Sequence, residues 1–509
     1  MKNIFKLLIL LCVLLVSCEK DLIQPFTPGS LSENAISTSA DLQRLMNSTY
    51  ANLTNREDVI FSSVYTDEVG IGIANGGQGI AGNFIFFMNT TAFSPNTIWS
   101  TTYYTLSRAN RVITFANKIV PVDVADSELI SRLKAEALVI RALCNIKLVS
   151  YFSADPKNNS DLAGVLVDKI VVSTDPSLPR SQNGQFYSLI HSDLDSALSI
   201  YNSLTLSSPY TGASVALYPN KNLAKALKAR AYTLKGDYTN AEIWANDVIA
   251  TSGISLATNL NYNSIFHTDS EPVNTEVIYR LKRTIQQSTQ ASNIGNGYAS
   301  VNTTATGSAF YEVGRSLFNI LNATPTDVRL STIIHPTSVI DPGYATSADF
   351  LNTDKLILGK HRGTVASGNL NSDFKICRIS EMYFIRAEAR VTAGDFPGAA
   401  LAIKTILDKR FPVAQTLPVY ATATDAWKDI LKQRRLEFAF EGYRFIDLKR
   451  LRVLAGVTVD RDPADYSSSS NNYPAGNPTN FPIASYKWTL PIPQDELNAN
   501  SGIQQNPGY

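Results

Sequence analysis

Apolar positions along this chain recur at intervals of three and four far more often than they alternate, and that period predicts helices in preference to strands. Trp99, Tyr103, Leu106, Asn110 and Ile113 share one helical face, and Leu129 to Phe152 is a second long amphipathic stretch, so the two are expected to pack as a hairpin. Asn110 lies on the apolar face, where a buried amide must find partners, and it is expected to hold an adjacent chain segment by hydrogen bonds. Further on, Leu223 to Lys235, the turn Gly236-Asp237-Tyr238 and Ala241 to Ala250 spell helix, turn, helix. Arg386 to Ala393, Gly394-Asp395-Phe396 and Ala399 to Lys409 repeat the plan. Small residues flank each turn (Ala229 and Ala241, Ala387 and Ala399) where two helices must approach closely, as in a tetratricopeptide-type repeat. The two units lie 158 residues apart, counted from Gly236 to Gly394. The expected fold is therefore mostly α: tetratricopeptide-like helical hairpins forming a scaffold that carries large irregular loop insertions.

The insertions show as composition shifts. Gly70 to Pro95 is rich in Gly and Asn and carries Phe84, Phe86, Phe87 and Phe93. Gln286 to Gly314 is rich in Ser, Thr, Asn and Gly and carries Tyr298, Phe310 and Tyr311, while Ala464 to Ser485 is a third polar loop. Long segments without regular structure in a compact protein are uncommon unless they bind something or are disordered, which makes these loops the first candidates for a ligand surface. Asn83, Phe84, Phe86, Tyr298, Phe310 and Tyr311 are the candidate ligand contacts; the alternative is that the same rings pin the loops to the scaffold.

At the N-terminus, Lys2 and Lys6 precede the apolar run Leu7 to Val16, and the small Ser17 stands before Cys18. The run is too short to cross a bilayer of roughly 30 Å as a stable helix, and its ending in Ser-Cys is that of a bacterial lipoprotein signal. Residues 1–17 are expected to be removed and Cys18 to carry lipid, with residues 18–30 as a tether. Loss of the leader with its two lysines takes the formal charge from +1 to −1, so nothing draws in nucleic acid or an anionic surface. Hydrophobic residues make up 44% and charged residues 17%, enough apolar material for a large core. Cys12 belongs to the leader, leaving Cys144 and Cys377 in apolar segments, where buried free thiols are expected before a disulfide. No CxxC occurs and His191, His267, His335 and His361 are scattered, so neither a metal nor a cofactor is expected.

Gly77-Gln-Gly79-Ile-Ala-Gly82 matches GxGxxG in form only, since no strand and helix flank it and no acidic residue follows about 20 positions on to hold a ribose. No GxSxG elbow, HExxH helix or phosphate-loop lysine is present. The paired carboxylates of a glycosidase cannot be recognised in one sequence, which keeps a hydrolase as the alternative from another class. The most specific pattern is Gln433-Arg-Arg-Leu-Glu437-Phe-Ala-Phe-Glu441-Gly-Tyr-Arg444-Phe-Ile-Asp447-Leu-Lys-Arg450. On a helix, Arg434 and Glu437, then Glu437 and Glu441, lie one turn apart, and Gly442 can end it in a left-handed conformation that presents Arg444 and Asp447. Charges interleaved with Phe438, Phe440 and Phe445 imply partly buried ion pairs that fix packing, an architectural role before a catalytic one.

That segment, together with Arg378-Ile-Ser-Glu381-Met-Tyr-Phe-Ile-Arg-Ala-Glu388-Ala and the closing Leu490-Pro-Ile-Pro-Gln-Asp-Glu-Leu-Asn-Ala-Asn and Gln505-Asn-Pro-Gly-Tyr509, resembles the SusD/RagB family of surface lipoproteins of Bacteroidetes-type bacteria. Leu223 to Tyr232 with its Gly-Asp-Tyr turn, and Trp99 with Tyr103, Ala109 and Asn110, are similar to the family's earlier landmarks. Gln433 departs from it, standing where a Glu commonly precedes the Arg pair. The resemblance implies a single SusD-like helical domain over 31–509, with an N-terminal part to about 330 and a C-terminal part from about 331. It also implies a non-enzymatic, lipid-anchored receptor facing outward at the outer membrane, which captures an oligosaccharide and passes it to a SusC-like TonB-dependent barrel transporter. A peptide ligand, as in the RagB branch, is the alternative.

Overall fold

The computed structural model describes residues 36–72, 75, 82–172, 175–284, 294, 298, 309–340, 354–363, 371–466 and 476–509. The leader, Cys18 and the tether lie outside them, as do Gly77 and Gly79. The described chain is mostly helical, and its strands form three separate two-stranded antiparallel pairs.

The N-terminal part places α1 (Ser39–Asn52), α2 (Arg56–Val64), α3 (Phe93–Ala116) and α4 (Val124–Phe152) in succession, and α3 and α4 form the expected hairpin. Expected to be amphipathic, α4 is instead buried almost all round from Ala135 to Phe152, because α1, α3, α5 (Asn183–Ser203) and α6 (Lys221–Lys235) cover it on every side. Asn110 on α3 donates from Nδ2 to the carbonyls of Val167 (3.1 Å) and Lys169 (3.0 Å), and its Oδ1 accepts from Arg141 of α4 (2.9 Å). One buried amide thus clips the 167–169 segment to the hairpin.

The helix-turn-helix units follow from cap chemistry. α6 begins at Asn220, whose side chain accepts from Leu223 N (3.0 Å), and ends at Gly236 with φ +79°, a left-handed conformation that glycine adopts without strain. Asp237 then caps α7 (Tyr238–Thr251). α11 (Ile379–Thr392) ends likewise before Gly394 (φ +76°), and Asp395 caps α12 (Phe396–Arg410), accepting from Gly398 N at 2.9 Å. Between the units lie α8 (Tyr262–His267), β2 (Val277–Leu281), α9 (Arg315–Asn322) and α10 (Val328–Ile333). Ala229, Ala241, Ala387 and Ala399 are fully enclosed at the helix crossings. Although far apart in sequence, the units stack directly: α7 packs on α11, with Arg390 Nε donating to Glu242 (2.5 Å) and Arg386 Nε to Asn246 (2.6 Å). The interrupted repeat is restored in space, and α13 (Ala423–Phe438) with α14 (Arg444–Ala455) extends it.

Short strands fasten the insertions to this scaffold. β1 (Val69–Ile71) pairs with β3 (Tyr311–Val313), Val69 opposite Val313, so the first two candidate loops are joined at their roots. Just past β1, a Cβ on Gly72 would lie 2.0 Å from the Ala309 carbonyl oxygen, so that close approach requires glycine. β2 pairs with β4 (Phe374–Arg378), which runs straight into α11, and β5 (Val459–Asp460) pairs with β6 (Asn480–Phe481). The C-terminal motif closes the molecule: Asn506 Nδ2 donates to the carbonyls of Phe152 (3.0 Å) and Leu490 (2.7 Å). Beside it, Glu496 on α15 (Gln494–Ala499) accepts from Trp99 Nε1 (3.1 Å), bracing the first turns of α3. Cys144 and Cys377 are free and buried, and burial pushes the Cys144 thiol up to about 12, so it is inert at neutral pH.

Candidate functional site: a surface groove beside the first loop insertion

A groove of about 500 Å³ opens between the start of α2, the turn at Asn83 and the first turn of α3. Its size is within the range of small-ligand clefts. Two rings stand at its edge, Phe87 with 48% of its surface exposed and Phe93 with 72%. Its floor is polar: Asn83 Nδ2 donates to Ser94 Oγ (2.9 Å), and Ser94 Oγ donates to Glu57 Oε1 (2.5 Å). Arg56, Ile60, Asn89 and Thr91 also line it. Exposed rings over fixed amide, hydroxyl and carboxylate groups suit a ligand with apolar faces and polar edges, which describes a pyranose ring.

The turn decides which rings face out. Asn83–Ile85 is a single 3₁₀ turn that ends with Phe86 in the left-handed region (φ +55°), a conformation strained for a bulky side chain. The burial of two rings offsets that strain. Phe84 lies under the Arg461 guanidinium (3.7 Å) and beside Tyr311, while Phe86 stacks on Phe481 (5.2 Å) and meets Tyr65 edge-on. Arg461 also donates to the carbonyls of Phe84 and Val64 (both 2.8 Å), nailing the turn to α2. With Phe84 and Phe86 turned inward, Phe87 is left at the surface.

Of the candidate ligand contacts from the sequence, the structure places Asn83 on the groove and leaves Phe310 half-buried. Phe84, Phe86, Tyr298 and Tyr311 are enclosed in the core. Tyr298 shares a hydrogen bond with Ser63 Oγ (2.6 Å) and meets Phe440 edge-on, and its carbonyl accepts from Phe310 N and Tyr311 N. These four rings pin loop to scaffold and offer no free face to a ligand. Arg56, Glu57, Asn89 and Ser94 were not among the candidates; composition marks the loop, whereas only the fold shows which helix end lies beneath it.

Burial raises the Glu57 carboxyl from its ordinary value of 4.5 to about 7, despite the Ser94 hydrogen bond and the Arg56 charge that favour ionisation. A carboxyl that titrates higher in the folded state contributes stability at acid pH, and that contribution disappears as pH rises through about 7. Burial likewise raises Glu136 and Asp465 to about 7. The melting temperature is therefore expected to fall as pH rises from about 4.5 to about 7, and Glu57→Gln to shrink that fall. A Glu57→Gln curve parallel to the native one would assign the titration to other groups.

The charged motif of the C-terminal third forms a buried lattice around the turn after α13. α13 ends at Phe438, one turn earlier than the sequence suggests, and Phe440 (φ +60°) and Gly442 (φ +87°) then fold the chain back so that Glu441 faces inward. Arg378 Nη1 donates to Glu437 and Glu276 (both 2.8 Å), and its Nε and Nη2 hold the two oxygens of Glu441 (2.9 and 2.8 Å). Arg410 holds Glu437 from the other side (2.9 and 2.7 Å), and Lys360 Nζ donates to Glu441 (2.7 Å). Arg434 turns away from Glu437 to Asp447 (2.7 Å), Arg450 forks onto Glu388, and Arg444 grips both oxygens of Asp67 (2.8 and 2.7 Å). Glu381 takes Arg230 (2.7 and 2.6 Å). Burial pushes Glu437 up, but the Arg410 and Arg378 guanidiniums outweigh it and hold the carboxyl well below its usual range. Gln433 replaces an ion pair with a neutral contact, its Oε1 accepting from Arg329 Nη2 at 3.2 Å. Most of these groups are buried, with Arg230 the exception at 19% side-chain exposure, so the pairs lie deeper than the sequence pattern implies.

Residues 258–509, which hold this lattice and the closing motif, match the SusD family model, and the chain belongs to the SusD/RagB family. The fold extends the likeness over nearly the whole chain. A SusD superfamily protein from Bacteroides thetaiotaomicron VPI-5482 is similar at 23% identity, covering 92% of this chain and 100% of that one, with a TM-score of 0.72. A SusD-like carbohydrate binding protein from Bacteroides vulgatus ATCC 8482 is similar at 17% identity, covering 92% and 97%, with a TM-score of 0.70. A laminarin binding SusD-like protein is similar at 22% identity, covering 93% and 100%, with a TM-score of 0.64. No curated protein sequence matches the chain.

Proposed function

We propose that this protein is a cell-surface glycan receptor that captures an oligosaccharide in the groove at Asn83 and passes it unaltered to a SusC-like TonB-dependent transporter. The observation that carries the reading is the pairing of the exposed Phe87 and Phe93 rings with the Asn83–Ser94–Glu57 hydrogen-bond chain beneath them. Rings offer stacking faces, and the fixed polar groups can answer hydroxyls at the ring edges. Support comes from the family and from similar structures described as carbohydrate binding and laminarin binding. Among the described residues no group of three or more His, Cys, Asp or Glu could hold a metal ion, and binding through rings and hydrogen bonds needs none.

Affinity electrophoresis of the purified protein through gels containing laminarin and a panel of other soluble glycans tests the proposal. Retardation by at least one glycan without release of reducing ends supports it. Release that a single carboxylate substitution abolishes would establish a hydrolase, and no retardation by any glycan would sink the glycan reading.

The anchor belongs to the same proposal. Among the described residues no helix is long and apolar enough to cross a membrane, and a lipid on Cys18 would supply the attachment. Cys18→Ala is expected to move the protein from the outer-membrane fraction to the soluble fraction. Continued sedimentation of the variant with membranes, in extracts that lack the transporter, would overturn the lipid assignment.

A further inference from the structure

We infer that a partly enclosed chamber, distinct from the groove, binds a small organic carboxylate with a compact apolar body. The chamber lies where the start of α2 meets α3, α4, α6, α11 and α14, and its volume is about 130 Å³. Cavities of about 150 Å³ in other proteins accept a benzene ring. Much of its wall is apolar, with Leu143, Ile146, Leu234 and Ile446 among the side chains that face it.

Four cations (Lys147, Arg230, Arg434 and Arg450) and four carboxylates (Asp58, Glu381, Glu441 and Asp447) balance in its lining, and what remains over is hydrogen-bond donors. Lys147 Nζ donates to Asp58 Oδ2 (3.0 Å) and to the Thr54 carbonyl (3.3 Å), and its third N–H meets no acceptor among the described residues. Arg230 spends Nε and Nη2 on Glu381, the Ile376 carbonyl and Tyr443 Oη, and its Nη1 meets none either. Arg434, at the chamber wall, is already held by Asp447 (2.7 Å) and faces Glu388 (3.4 Å), so the free donors are those of Lys147 and Arg230. The acids are already spent, for Glu381 accepts from both Arg230 and Tyr443. The hydroxyls of Thr102, Ser150 and Thr233 donate to carbonyls of their own helices. Lys147 and Arg230 keep 14% and 19% of their side-chain surface exposed, against 6% and 4% for Asp58 and Glu381. Spare donors on Lys147 and Arg230 beside apolar walls suit a ligand that brings strong acceptors on an apolar body, and a carboxylate on a single ring is such a ligand.

Calorimetry of the purified protein with benzoate, and with benzyl alcohol as the uncharged control of similar shape, tests the inference. Saturable binding of benzoate is expected at millimolar concentration, with a preference over benzyl alcohol of about tenfold or more. Leu234→Phe fills the chamber without touching an ion pair and is expected to abolish binding; Thr105→Leu serves if that variant does not fold. Lys147→Gln is expected to weaken binding about tenfold. Absence of saturable benzoate binding, or binding that survives both filling variants, would overturn the site. Glycan retardation is read in a separate experiment, so either proposal can fail without the other.

Discussion

Arg378→Met is expected to lower the unfolding free energy by about 3–5 kcal/mol, the cost of leaving buried charge without its partner. Arg378 is fully buried and answers three carboxylates at once, those of Glu276, Glu437 and Glu441, while its guanidinium lies 4.8 Å from the Phe438 ring. Methionine keeps much of the side-chain volume but returns no hydrogen bond. Glu437 retains Arg410 and Glu441 retains Lys360, so the lattice is wounded without being emptied. Arg378→Lys restores the charge but cannot reproduce the fork, and an intermediate loss is expected. Denaturant unfolding followed by circular dichroism measures both, and a loss below about 1 kcal/mol for Arg378→Met would show that the lattice is not what holds β4 and α11 to the turn after α13.

Much of this architecture is legible in the sequence because its determinants are local. A glycine with positive φ followed by an aspartate cap ends one helix and starts the next, so Gly236-Asp237 and Gly394-Asp395 announce their turns without reference to the rest of the chain. The stacking of α7 on α11 is not local, and periodicity gives no hint of it. The burial of α4 on every face escapes the same reasoning, since an apolar stripe predicts one covered side and cannot count the neighbours that arrive later. In the charged motif, spacing identifies Arg434, Glu437 and Glu441 as a set, whereas the partners of Glu437 come from other segments, Arg410 and Arg378, and Arg434 pairs past the end of its helix with Asp447.

The groove shows the same limit at the scale of one turn. Composition marks Gly70 to Pro95 as a candidate surface, but Phe84, Phe86 and Phe87 are chemically equal in sequence. Only the 3₁₀ turn, closed by Phe86 in a left-handed conformation and clamped by Arg461, decides that the first two point inward and the third outward. A ring's role therefore depends on a backbone dihedral that no pattern of residue types specifies.

That assignment yields the sharpest test of the proposed site. Phe87→Ala and Phe93→Ala are each expected to weaken glycan binding by about 1–1.5 kcal/mol, and the double variant by about 2–3 kcal/mol, roughly a thirtyfold to hundredfold loss of affinity. Melting temperature is expected to change little, because both rings are exposed and few contacts are lost with them. Phe84→Ala should behave in the opposite way: removing a fully enclosed ring from beneath Arg461 is expected to destabilise the fold by about 3–5 kcal/mol. Calorimetric titration with the glycan that retards the native protein, run beside thermal unfolding, separates the two outcomes. If Phe87→Ala/Phe93→Ala binds as tightly as the native protein while remaining folded, the groove at Asn83 is not where the ligand stacks. Loss of binding at constant stability can come only from rings that meet the ligand and leave the core undisturbed.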